Sequence, residues 1–240
     1  MPRDMGALIF DCDGVLVDTE RDGHRIAFNT AFQEAGLGVE WSVERYGELL
    51  TTGGGKERMR RHFDECGWPK TDDRDALVSG LHVAKTDIFM RLIEAGKLPL
   101  RPGVARMVDA ALEAQLVVAV CSTSNERAVE AVVKTLLGPE RAEKMNIYAG
   151  DIVSRKKPDP AIYTLAAESL GLDPADCVVI EDSHIGLTAA KAAGMCCIVT
   201  LSTYTANEDF TGADRIVPDL DYGIDLATCR SIVQRKETAV

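Results

Sequence analysis

Four short, unbroken apolar runs constrain this chain more than anything else in it: residues 7–10, 116–121, 177–180 and 196–199. A strand with one wet face alternates apolar and polar residues, whereas a parallel strand covered by helices on both faces reads as a continuous run. Helical patterns lie between the runs, near 103–114, 125–137, 159–171 and 184–193, and Gly171 and Gly194 suit the ends of two of them. Residues 146–149 read as one further short strand. The alternation predicts an α/β fold, a Rossmann-like, doubly wound parallel sheet with right-handed crossovers. Residues 20–98 break the rhythm. They show no convincing strand, only amphipathic helical pattern such as Ile26, Ala27, Thr30, Ala31 and Glu34, or Leu81, Lys85, Ile88, Phe89 and Leu92. The run Leu98-Pro99-Leu100-Arg101-Pro102-Gly103 closes this stretch with boundary residues. The expected organisation is a core of residues 1–19 and 99–240 and a small all-helical domain, 20–98, inserted after the first strand.

Composition narrows the partners. With 240 residues, 46% of them hydrophobic, the chain can bury a full core. Acidic residues outnumber basic ones 38 to 27, giving a net charge of −11. Neither nucleic acid nor an anionic membrane surface is an expected partner for such a chain. No run approaches the roughly 20 apolar residues of a membrane span, and Met1-Pro2-Arg3-Asp4-Met5 does not open a signal peptide. Seven cysteines, an odd number without a C-x-x-C pair, read as small core residues in a reducing compartment, the adjacent Cys196 and Cys197 included. No heptad or broad apolar stripe stands out, and a monomer is expected.

Open α/β sheets bind ligands outside the carboxyl ends of their strands. There the first run is followed by Asp11-Cys12-Asp13-Gly14, the second by Ser122-Thr123-Ser124-Asn125, and the third by Glu181-Asp182-Ser183. Near 155 a cationic run, Arg155-Lys156-Lys157, precedes Pro158. Each piece alone is an ordinary turn, helix cap or solvated loop. Brought to one edge, the carboxylates would repel one another unless a cation held them. Hard oxygen ligands with open positions suit Mg²⁺, which keeps waters and accepts phosphate oxygens.

Asp11-Cys12-Asp13-Gly14-Val15-Leu16, Ser122, Lys157-Pro158 and Glu181-Asp182-Ser183-x-x-Gly186 resemble, in order, the four motifs of the haloacid dehalogenase superfamily. The resemblance spans essentially the whole chain and implies a helical cap over a phosphatase core. It further implies that Asp11 attacks phosphorus to form a phosphoaspartate and that Asp13 serves as acid and then base. Mg²⁺ is implied on the Asp11 carboxylate, the Asp13 carbonyl and Asp182, with Glu181 as a further ligand. Ser122 and Lys157 are implied on the phosphoryl oxygens. Lys157 is chosen over Lys156 because the family's lysine immediately precedes the proline.

The inserted domain should carry specificity. Its most distinctive segment, Thr51-Thr52-Gly53-Gly54-Gly55-Lys56-Glu57-Arg58, leads into a helix over 59–66, and glycine-freed amides, a helix start and two cations suit a second phosphate. Glu20 and His24 are expected to border the cleft, Tyr46 to belong to the core or the pocket, and His82 and Lys85 to share a helix face. Thr123 and Asn125 are expected beside the substrate. The run from Asp18-Thr19-Glu20 to His24, the Gly-Gly-Lys-Glu-Arg loop and the later Leu-His-x-x-Lys-Thr are similar to the CbbY group of photosynthetic organisms. That similarity implies removal of one phosphate from xylulose-1,5-bisphosphate, a Rubisco inhibitor, in a chloroplast stroma. A phosphosugar mutase of the β-phosphoglucomutase kind is the alternative. Against it stand Asn125, where those mutases usually carry lysine, and a spacing from Asp18-Thr19 to His24 that is one residue longer. The intact acids and lysine disfavour a non-catalytic relative, and a dehalogenase would not need the acidic pair.

Overall fold

The computed structural model describes residues 4–52 and 54–238. Residues 1–3, which carry the expectation about the leader, and Gly53 of the glycine loop lie outside the described residues. In chain order the main elements begin with β1 (Ala7–Phe10), α1 (Arg25–Glu34), α2 (Val43–Leu50), α3 (Gly55–Cys66), α4 (Arg74–Glu94) and α5 (Val104–Glu113). There follow β2 (Val117–Ser122), α6 (Glu126–Val132), α7 (Pro139–Ala142), β3 (Asn146–Ala149), α8 (Ala161–Leu170) and β4 (Cys177–Glu181). The chain ends with α9 (His184–Ala192), β5 (Cys196–Thr200), β6 (Arg215–Val217) and α10 (Leu226–Thr238). It divides into two compact units, one of residues 1–18 and 99–240 and one of residues 19–98, so Thr19 falls with the inserted unit.

In the first unit the apolar runs pair as parallel strands in the order β3-β2-β1-β4-β5-β6. β1 is central, and Ala7, Leu8, Ile9 and Phe10 are all fully buried, because neighbouring strands flank it and helices cover both faces. One face packs on Ile162, Tyr163 and Ala166 of α8 and on Leu187 and Ala190 of α9. α5 lies against β2, and α10 against β4. The sixth strand was not legible. Of Arg215, Ile216 and Val217 only the last is buried, so an edge strand this short leaves no apolar run. The helix expected over 125–137 stops at Val132 and widens into a π-turn over Val133–Leu137.

Among its described residues the second unit consists of helices and the turns and loops that join them. Serine and aspartate start two of its helices, Ser42 accepting from the Arg45 amide and Asp73 from the Ala76 amide. α1 packs against α4. Phe28, Phe32, Trp41, Tyr46 and Phe63 form an aromatic core, with the Trp41 ring centroid 4.8 Å from Phe28 and 4.9 Å from Phe32. Asn29 clamps Trp41 from both sides, its amide nitrogen donating to the Trp41 carbonyl at 2.9 Å and its oxygen accepting from the Trp41 amide at 2.8 Å. α3 begins at Gly55, four residues before the sequence pattern became visible at Met59.

Because β1 is the central strand, Leu8→Ala is expected to cost about 3 kcal/mol of stability, the mid-range for a fully buried leucine. The midpoint of urea unfolding measures it, and a loss below about 1 kcal/mol would contradict close packing at the sheet centre.

Candidate active site

The carboxyl ends of β1, β2 and β4 bring together groups far apart in sequence. Asp11 leaves β1 with its amide donating to the Ile180 carbonyl of β4 at 2.9 Å, which places it beside the end of that strand. Lys157 arrives on the loop before α8. Its ammonium donates to Asp11 Oδ1 at 2.7 Å, to Glu181 Oε1 at 2.7 Å and to the Cys121 carbonyl at 3.0 Å. Lys156 points elsewhere, to Asp151 at 2.9 Å and to the Gly150 carbonyl.

The acids are nearly dry: Asp11 is 8% exposed, Asp182 6% and Glu181 0%. One carboxylate oxygen from each of the three lies within 4.8 Å of the others. Burial raises the Asp11 pKa to about 7, with Lys157 opposing and the Glu181 and Asp13 charges adding to the rise. Burial, followed by Glu181 and Asp11, also holds Asp182 well above the carboxylate range. Burial alone would lower the Lys157 pKa, but the Asp11 and Glu181 carboxylates outweigh it and the ammonium is held charged.

Two glycines permit this crowding. Gly14 has φ +79°, and a side chain there would run into the Asp182 carboxylate. A side chain at Gly186 would run into the Glu181 carboxylate, so this glycine lets the first turn of α9 pass close by. Ser183 caps that helix, accepting from the Gly186 amide at 3.2 Å.

Ser122 is buried at the end of β2, its Oγ accepting from the Ser124 amide at 3.1 Å. Thr123 is half-buried, while Asn125 is exposed and precedes α6 without capping it through its side chain. Further neighbours have no role assigned from sequence, although Ser124 stands in the run after the second strand. The Ser124 hydroxyl donates to Asp13 Oδ2. Tyr163, fully buried, donates to Glu181 Oε1 at 2.6 Å, and the Lys157 ammonium sits 4.8 Å from its ring centroid. The segment 202–215, unassigned from sequence, also contributes: Thr205 donates to Asp182 Oδ2 at 3.4 Å, and the Thr203 amide donates to Asp18 at 3.2 Å. Tyr163 reads as a core residue and Thr203 and Thr205 as loop polar residues, so no local signal marks these three.

Within the inserted unit a second polar cluster forms. Tyr46 is buried, its hydroxyl donating to Glu20 Oε2 at 2.5 Å and accepting from Arg58 at 3.3 Å. The Arg58 Nε also donates to the Thr52 carbonyl at 3.0 Å. Lys85, only 9% exposed, reaches His24 Nδ1 at 2.9 Å and lies over the Phe28 and Phe89 rings. Gly54 precedes α3 with φ +88°, and the Cβ that Gly55 lacks would press on His82 and Phe28 at 3.1 Å. His82 and Lys56 are half-buried. Burial, then Lys85 and Lys56, lowers the His82 pKa, which favours the neutral ring.

Residues 5–194 match the haloacid dehalogenase-like hydrolase family. A CBBY-like protein of Arabidopsis thaliana is 59% identical over 239 residues, covering 96% of this chain and 75% of the relative. Protein CbbY of Rhodobacter capsulatus is 41% identical, covering 90% of this chain and 94% of its own length. The crystal structure of a CbbY mutant from Rhodobacter sphaeroides, in complex with xylulose-(1,5)bisphosphate, superposes with a TM-score of 0.74. It is 41% identical and covers 91% of this chain and 96% of that one. The chain belongs to the haloacid dehalogenase-like hydrolases and, within them, to the CbbY type. It is therefore an enzyme, a phosphatase of that family.

The geometry makes Gly14 intolerant. Gly14→Ala is expected to displace Asp182 and to lower turnover at least about 100-fold, the effect of misplacing a reacting group by about 1 Å. Initial rates of phosphate release, with circular dichroism as the folding control, measure it; near-normal turnover would show that the close approach is not needed.

Proposed function

We propose that this enzyme is a Mg²⁺-dependent sugar-bisphosphate phosphatase that removes one phosphate from xylulose-1,5-bisphosphate through a phosphoaspartate. The observation carrying this reading is the dry cluster of Asp11, Lys157, Glu181 and Asp182, in a chain 41% identical to a CbbY bound to that bisphosphate.

An Asp11 oxygen attacks phosphorus and the ester P–O bond breaks. Asp13, protonated, gives its proton to the departing alkoxide, which leaves as the sugar alcohol. Water then attacks the phosphoaspartate, Asp13 takes its proton, the P–O bond to Asp11 breaks and phosphate leaves. Lys157 and Ser122 stabilise the charge that builds on the phosphoryl oxygens. In this reading Glu181 and Tyr163 hold the Lys157 ammonium in place.

The cluster fits a divalent cation. Three buried carboxylates face one ammonium, and two of the three are pushed toward their neutral forms unless more positive charge is present. Asp11, Asp182 and the Asp13 carbonyl would hold the ion, with Glu181 beside them. Bound there, Mg²⁺ would neutralise phosphoryl charge and keep Asp11 ionised as a nucleophile.

The second phosphate is assigned to the inserted unit: Lys56, Arg58 and the glycine-led start of α3 supply cations and amides, and Glu20, Tyr46, His24, His82 and Lys85 complete the polar cluster. Thr123 and Asn125 are assigned to contacts with the sugar. A chloroplast setting is proposed on the resemblance to the CbbY group of photosynthetic organisms.

The test is phosphate release from xylulose-1,5-bisphosphate, ribulose-1,5-bisphosphate and β-glucose-1-phosphate, with Mg²⁺ and then with EDTA. Release that favours the xylulose compound and stops with EDTA is expected. Conversion of β-glucose-1-phosphate to the 6-phosphate without release would establish a mutase instead.

Lys56→Ala and Arg58→Ala are expected to raise KM for the bisphosphate by about tenfold or more, each losing a charge-assisted contact worth roughly 1.5–3 kcal/mol. KM for p-nitrophenyl phosphate, which has no second phosphate, should stay nearly constant. Equal effects on both substrates would remove the second phosphate from this cluster.

A further inference from the structure

Arg101 entered the sequence reading only as part of a domain boundary. In the structure its guanidinium spans four acceptors: the Gly14 carbonyl, Thr200 Oγ1 at 3.1 Å, the Leu201 carbonyl at 2.6 Å and the Pro218 carbonyl at 3.0 Å. Its own amide donates to the Leu16 carbonyl at 2.9 Å. One side chain thus ties the loop after β1 to the end of β5 and to the segment after β6. Burial costs this guanidinium, lowering its pKa, while Asp182, Asp18 and Asp219 work in its favour.

The tied loop is the one that carries Asp13. It is closed on itself by hydrogen bonds from the Gly14 amide to the Val17 carbonyl at 2.7 Å and from the Leu16 amide to the Cys12 carbonyl at 2.9 Å. With the guanidinium on the Gly14 carbonyl, both polar groups of the residue following Asp13 are fixed. Gly14 also lies where a side chain would strike Asp182, so a rotation of this peptide would disturb the acid cluster as well. A lysine could not reproduce the arrangement. Its ammonium is a compact point charge, whereas the guanidinium fork reaches acceptors on separated segments.

We propose that Arg101 is a positioning residue for proton transfer, acting through Gly14 to hold Asp13 where it serves the leaving oxygen. The inference rests on the acid role given to Asp13 above. A misplaced acid is felt according to the leaving group: an alkoxide must receive a proton as it departs, whereas p-nitrophenolate leaves without one. An arginine that merely stabilised the fold would lower both rates together.

The experiment compares kcat and KM of Arg101→Lys, Asp13→Asn and the unaltered enzyme on a sugar phosphate and on p-nitrophenyl phosphate, with thermal melts to verify folding. For Arg101→Lys, kcat is expected to fall about 30-fold on the sugar phosphate and about threefold on the aryl ester, part of the roughly 10²-fold or more that a positioned proton donor supplies. KM should change little on either substrate. Asp13→Asn should show the same selectivity more strongly. An equal loss on both substrates for Arg101→Lys, with selective loss for Asp13→Asn, overturns the positioning role and leaves Asp13 as the acid. An equal loss for Asp13→Asn overturns the acid role itself, and the inference with it. Should Arg101→Lys fail to fold, Thr200→Val, which removes one acceptor and keeps shape, is expected to show the same selectivity at smaller size. Loss of selectivity there overturns the proposal.

Discussion

The structure turns on one buried ammonium. The Lys157 side chain is 4% exposed, yet it sits against two carboxylates and a carbonyl that end three different strands. A charge taken out of water is tolerated only when paired and hydrogen-bonded, and removing one partner from such a group leaves the others stranded. Asp11 and Glu181 need Lys157 as much as it needs them. The Tyr163 hydroxyl on Glu181 and the Tyr163 ring beside the ammonium supply what the carboxylates leave open. Three strand ends are thereby fixed in one place, and Ser122, Asp13 and Asp182 take their positions from those ends.

This interlock explains which parts of the molecule could be read in advance. The sheet was legible because burial on both faces leaves runs with no polar residue, and residues 7–10, 177–180 and 196–199 carry that mark plainly. The positions after each run were legible for a related reason. A strand's end is fixed by its apolar content, and whatever follows is delivered to the rim. What stayed hidden was pairing across long separations. Ser124 and Asp13 are 111 positions apart, and Arg101 and Pro218 are 117 apart. A local pattern can mark a residue of such a pair, but it does not record which distant residue it meets. Tyr163 was hidden differently: on a helix packed against the sheet it looks like any other aromatic core residue, and only its hydroxyl distinguishes it.

The inserted unit was legible in its helices and less so in its polar interior. His82 and Lys85 read as sharing one helix face, and the face does not tell that Lys85 is buried over two phenylalanine rings and engages His24 from another helical segment. Lysine stems bury readily while the head seeks a polar partner, and a helix pattern does not record where the head ends up. Tyr46 shows the same duality. Its ring belongs to the aromatic core, and its hydroxyl joins Glu20 and Arg58. At this position one residue serves both the aromatic core and the polar cluster.

A chain of net charge −11 would be expected to repel the doubly phosphorylated sugar proposed as its substrate. The conflict is resolved by range. At physiological ionic strength exposed charges are screened over about 8 Å, so the scattered surface acids contribute little at a given site. Buried groups are screened far less, and a few cations are among them: Lys157 in the core unit, Lys85 and the largely covered Arg58 in the inserted one. The same reasoning limits what Lys157 can do alone. With all three carboxylates ionised, one ammonium leaves the cluster negative, and a phosphate dianion approaching it would meet net repulsion at short range, where screening fails. The acids gathered around Asp11, the proposed nucleophile, therefore create the need for a further positive charge, and the proposed Mg²⁺ meets that need where protein cations do not suffice.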